Sequence, residues 1–177
     1  MSKLGQPSGF LLMGAGAAFR QELCEMIAET QLFSDADWND INALAGYVQC
    51  YQVPAGTVVF NEGDAGDYMC LVVSGQIEIL KEDSEGTRHR IVVIGRGKTV
   101  GEMSIIDGEP RSATCVAAQD SVLILLTKDN YARISRERAV LALHILAKLA
   151  KLMSQRLRGL SGQLVEYLDH PEDQEDA

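Results

Sequence analysis

The stretch Gly101-Glu102-Met103-Ser104-Ile105-Ile106-Asp107-Gly108-Glu109-Pro110-Arg111-Ser112-Ala113-Thr114 lies within a series of short β-rich runs and breaks their rhythm. A strand ending near Val100 meets a glycine. Glu102 to Ile106 then gives room for about one helical turn. The first N–H groups of such a turn have no intrahelical partner and attract an anion. Gly108 and Pro110 turn the chain back. Arg111 enters a new strand carrying a planar fork suited to paired phosphate oxygens. Glu102 is close by and can accept hydrogen bonds from a sugar hydroxyl. These residues fit a small phosphate-plus-sugar ligand. They fit equally a buried Glu102–Arg111 ion pair that braces a loop, and the residues alone leave both readings open.

Outward from this stretch, residues 57–60, 69–73, 76–80, 88–94, 114–118 and 122–126 are rich in strand formers. Turn signals such as Glu62-Gly63-Asp64, Ser74-Gly75, Glu85-Gly86 and Arg96-Gly97 separate them. Many short strands with recurring glycine turns predict a closed or two-sheet β barrel. The region before it, to about Gln52, reads as helical. Ser34 followed by Asp37 resembles a capping box, and Trp38, Ile41, Leu44 and Val48 recur at helical spacing. Beyond residue 127 the chain is helical again. Ser135 and Arg136 mark a break before a long helix over 138–168. On that helix Leu146, Leu149, Met153, Leu160, Leu164 and Tyr167 form a coiled-coil-like seam. Its length exceeds what a small barrel covers, which favours contact with a partner. The expected fold class is therefore α+β: antiparallel strands flanked by N-terminal helices and a long C-terminal helix.

A chain of 177 residues is long enough for one domain with its own core. No apolar run reaches the roughly 20 residues of a membrane span. The apolar patch over 9–19 is short and broken by Gly14 and Gly16, so it reads as an N-terminal arm rather than a signal segment. Cys24, Cys50, Cys70 and Cys115 have no CxxC spacing and read as reduced core thiols of a cytoplasmic protein. No metal site is expected from them or from His89, His144 and His170. The net charge is −9, but residues 133–158 are basic and the tail from 164 is acidic.

Gly101-Glu102-Met103-Ser104, a loop, then Pro110-Arg111-Ser112-Ala113-Thr114 resemble the phosphate-binding cassette of cyclic-nucleotide-binding domains. Such domains occur in the catabolite activator family, protein kinase A regulatory subunits and cyclic-nucleotide-gated channels. Phe60-Asn61-Glu62-Gly63-Asp64-Ala65-Gly66-Asp67 followed by Val73-Ser74-Gly75 is similar to the family's other signature. The resemblance covers about residues 32–168. It leaves 1–31 as an N-terminal arm and helix and 169–177 as a disordered acidic tail. It implies a β jelly roll. It also implies that Glu102 meets the ribose 2′-hydroxyl, with Gly101 against the sugar. Met103 and Ser104 would offer backbone N–H groups to the cyclic phosphate. Arg111 would neutralise that phosphate, assisted by Ser112 and Ala113. Asp67 would orient Arg111. Leu157, Leu160, Ser161 and Leu164 are the lid candidates over the base, with Gly159 and Gly162 either hinging that lid or packing tightly. Ser112 after the arginine resembles the bacterial cAMP-responsive pattern, which favours cAMP over cGMP.

The expected function is a cyclic-nucleotide receptor that signals through its C-terminal helix to a partner protein or to its mate in a homodimer. An enzyme is not expected, because no histidine is placed by motif to activate Ser104 or Ser112. The chain ends at Ala177 with no segment left for a helix-turn-helix, so DNA binding is not expected either. Two alternatives remain: an interaction module that has lost its ligand, and a DNA-associated regulator that uses the basic helix.

Overall fold

The computed structural model describes residues 8–14 and 16–169, and for 163, 164 and 166–169 the backbone alone. The tail expected to be disordered lies, from residue 170, outside the described residues. Two antiparallel sheets face each other. One has the order β1 (Leu11–Leu12), β2 (Val48–Val53), β9 (Ser121–Thr127), β4 (Tyr68–Ser74), β7 (Thr99–Val100). The other has the order β3 (Val58–Phe60), β8 (Thr114–Ala117), β5 (Gln76–Glu82), β6 (Arg88–Gly95). Helices α1 (Ala17–Ala28), α2 (Trp38–Leu44), α3 (Glu102–Ile106), α4 (Lys128–Glu137) and α5 (Ala139–Asp169) complete the α+β jelly roll.

Strand alternation divides the apolar residues between two cores. Cys70 and Val72 of β4 and Leu123 and Leu125 of β9 face the second sheet, meeting Phe60, Ile77, Ile94 and Cys115. Their neighbours Met69, Leu71, Ile124 and Leu126 point the other way, into a layer made by α1, α2, α4 and α5. The central strands are thus buried on both faces, which is why they read as continuous apolar runs.

Two expectations for the N-terminal region are corrected. Val48 does not continue a helix: α2 ends at Leu44, the chain turns at Ala45 and Gly46, and Val48–Val53 pairs with β9 as a strand. Asp37, not Ser34, caps α2, its side chain accepting the Asp40 N–H at 2.8 Å. The arm packs on the domain, with Leu11 and Leu12 paired to Gln52 and Tyr51. The four cysteines are free and buried.

The helical break falls at Arg138. Along α5, Leu141, Ala142, Ile145 and Leu149 enter the core. Leu149 therefore leaves the expected seam. Among the exposed or half-exposed apolar residues of α5, Leu143, Leu146, Ala150, Met153, Leu157 and Leu160 recur in alternate steps of three and four. Leu164 and Tyr167 have no described side chain.

Candidate functional site

Gly101 starts the site. It is the N-cap of α3 with φ of 76°, a left-handed conformation that suits glycine. A Cβ there would lie 2.5 Å from an Arg111 guanidinium nitrogen and 3.0 Å from the Phe60 ring. Glycine is required both by the backbone and by this approach. Gly66 serves α3 from the other side, where a Cβ would strike the Ser104 side chain at 2.0 Å.

Arg111 is only 3 % exposed. Its guanidinium donates to the Gly101 carbonyl at 3.0 Å and to the Tyr68 carbonyl at 2.6 Å. It lies 4.0 Å from the centre of the Phe60 ring and 4.9 Å from that of Tyr68. Among the described residues no carboxylate pairs with it, and its Nε has no partner. The expected role of Asp67 is corrected: Asp67 is exposed, its carbonyl accepts the Lys128 N–H, and carbonyls and rings orient Arg111 instead.

Glu102 is 4 % exposed, and its partner is Arg156 of α5 rather than Arg111. Arg156 also donates to Thr99, to the carbonyl at 2.7 Å and the hydroxyl at 3.2 Å. The second Glu102 carboxylate oxygen has no partner among the described residues. The loop-bracing Glu102–Arg111 pair, left open by the sequence, is not formed. Arg156 was missed in the sequence because it reads as one more cation on a basic segment. Its one signal is that it lies among the apolar lid candidates.

These groups line a cleft of about 180 Å³. Gly101, Glu102, Met103, Ser104, Arg111, Ser112 and Ala113 all contribute to it. Ile79, Val92, Ile94 and Val100 form an apolar wall, and Arg156 closes one side. The N–H groups of Met103, Ser104 and Ser112 have no acceptor among the described residues. The cleft therefore offers a cation, free N–H donors, a carboxylate oxygen and an apolar surface. Such a set suits an anionic ligand with a hydroxyl and a flat apolar part.

The lid candidates Leu157, Leu160 and Ser161 do not line the cleft. Leu157 and Leu160 are 66 % and 56 % exposed on the outward face of α5. The Ser161 hydroxyl bonds back to the Leu157 carbonyl. The Leu164 side chain is not described. Among the described residues a Cβ at Gly159 or Gly162 would meet nothing within 4 Å, so neither glycine serves close packing against them.

Residues 50–138 match the family described as cyclic nucleotide-binding domain. The chain belongs to the cyclic nucleotide-binding domain family. It is 32% identical over 127 residues to the cyclic AMP receptor protein of Thermus thermophilus, covering 72% of this chain and 57% of the relative. It is 29% identical over 124 residues to a cAMP-dependent protein kinase regulatory subunit of Aspergillus fumigatus, covering 70% and 29%. The chain thus spans well under two thirds of either relative. A solved cyclic nucleotide-binding domain from Methylobacillus flagellatus superposes with a TM-score of 0.80 at 29% identity, covering 93% of this chain and 92% of that one. The cleft lies within the family segment, except for Arg156 of α5. The family is one of regulatory ligand-binding domains rather than catalytic ones. Among the described residues no helix is long and apolar enough to cross a membrane.

Proposed function

We propose that this chain is a cyclic-nucleotide receptor that favours cAMP and passes the signal through α5 to a second copy of itself or to another protein. The observation that carries the reading is Arg111: a buried guanidinium that meets carbonyls and rings but no carboxylate. Burying a charge without its opposite is costly, and the cyclic phosphate supplies the missing anion. The free N–H groups of Met103, Ser104 and Ser112 add neutral donors beside it. The orphan oxygen of Glu102 accepts the ribose hydroxyl. The base lies along Ile79, Val92 and Ile94.

Coupling to α5 follows from Arg156. It reaches from the helix into the cleft and holds the carboxylate that the ribose uses. A ligand at Glu102 changes the hold of α5 on the barrel, which is a differential contact of the kind allostery requires. The outward heptad of α5 is suited to pairing with the same helix of a second copy. Calorimetry with cAMP and cGMP tests the receptor reading. Saturable binding, tighter for cAMP, is expected. Absence of heat for both at millimolar ligand contradicts it and leaves the interaction-module reading.

A further inference from the structure

Lys81 of β5 stands outside the cleft, yet it touches the cassette. Its Nζ donates to the Ser112 carbonyl at 2.9 Å and pairs with the Glu62 carboxylate. The loop that carries Glu62 is itself tied to the cassette. The Glu62 N–H donates to the Thr114 hydroxyl at 3.0 Å, and the Gly63 N–H donates to the Arg111 carbonyl at 2.9 Å. Both carbonyls that flank the Ser112 α-carbon are therefore held by groups that do not line the cleft. The Arg111–Ser112 peptide is planar and trans. Its N–H must point opposite to the Arg111 carbonyl, away from Gly63. That N–H has no acceptor among the described residues, and Ser112 lines the cleft.

We infer that Lys81, held in place by Glu62, is a positioning residue that fixes the backbone at Ser112 so that its N–H is aimed at the ligand phosphate. The inference rests on the receptor reading above. Donors fixed before binding spare the ordering cost that a loose loop would incur. Lys81 is half exposed, and a pair at such a site adds little to fold stability. Its effect belongs in binding rather than in melting. A bare field effect of the lysine charge is the competing explanation, and Glu62 separates the two. Loss of the Glu62 charge strengthens phosphate binding if only the local field matters. It weakens binding if Glu62 holds Lys81 on Ser112.

The test compares wild type, Lys81→Met, Lys81→Arg and Glu62→Gln by cAMP calorimetry, thermal melting and the amide spectrum of the ligand-free protein. Lys81→Met and Glu62→Gln are each expected to weaken cAMP by about five-fold. Their melting temperatures stay at the wild-type value, the Ser112 amide resonance moves, and Lys81→Arg restores binding. Tighter binding by Glu62→Gln overturns the inference, as does wild-type affinity in Lys81→Met with an unmoved Ser112 amide. If wild type itself binds neither nucleotide, the receptor reading fails and the Ser112 amide alone decides whether Lys81 positions this backbone. An unmoved resonance then overturns it.

Discussion

Arg111 carries a positive charge into the interior, where among the described residues no carboxylate pairs with it, while Glu102 pairs one of its two oxygens with Arg156. At this scale the ligand is foreshadowed by what the protein does not pair. Glu102→Gln is expected to weaken cAMP by about ten-fold, because a neutral amide accepts the ribose hydroxyl less strongly; competition binding against wild type measures it. The Glu62 carboxyl sits below the ordinary carboxylate range because of its hydrogen bond from Lys81. A depressed carboxyl makes its contribution above its unfolded pKa and loses it as pH falls through the folded value. cAMP affinity is therefore expected to stay flat from about pH 7 to about pH 5 and to fall in more acid solution, which calorimetry across that range records. The sequence shows Glu102 and Arg111 as charged residues at the two ends of one cassette. Which residue each one meets depends on where α5 crosses the sheet, and no local spacing encodes that crossing.

Helix α5 has two apolar faces, and its residues separate by depth. Ile145 and Leu149 enter the core, whereas Leu143, Leu146, Leu157 and Leu160 stay outside. The proposed pairing of α5 predicts that wild type sediments as a dimer and that replacing Leu157 and Leu160 together by Glu gives a monomer in sedimentation velocity, with the melting temperature within a few degrees, since neither side chain is in the core. An unchanged sedimentation coefficient removes this face as the interface. The helix itself was legible from its period. Its faces were not, because Leu146 and Leu149 are three residues apart and both satisfy a helical repeat, and only the barrel decides which one it covers. β2 failed for a related reason. Val48 falls four residues after Leu44 and extends the helical pattern across the turn at Gly46. The six runs between residues 57 and 127 were easier to read, because glycine turns bound most of them and β-branched residues fill them.

Two cores back to back, with helices on one side and a second sheet on the other, place every cysteine out of water. Burial pushes the Cys50 thiol up to about 11 and the Cys115 thiol up to about 12, and raises Cys24 and Cys70 as well. None is a thiolate at neutral pH, so Ellman's reagent is expected to react slowly with the folded protein and with four thiols once guanidinium unfolds it. The same architecture sets the cassette beside the inner core, where Phe60 and Tyr68 hold a charged side chain that forms no ion pair among the described residues. Replacing Arg111 by Met keeps the apolar stem and removes that charge. The direct measurement is cAMP calorimetry alongside thermal melting of Arg111→Met. Affinity is expected to fall about a hundred-fold while the melting temperature holds or rises, since an uncompensated buried charge is gone. Wild-type affinity in this variant would contradict the claim that Arg111 is held for the ligand's phosphate.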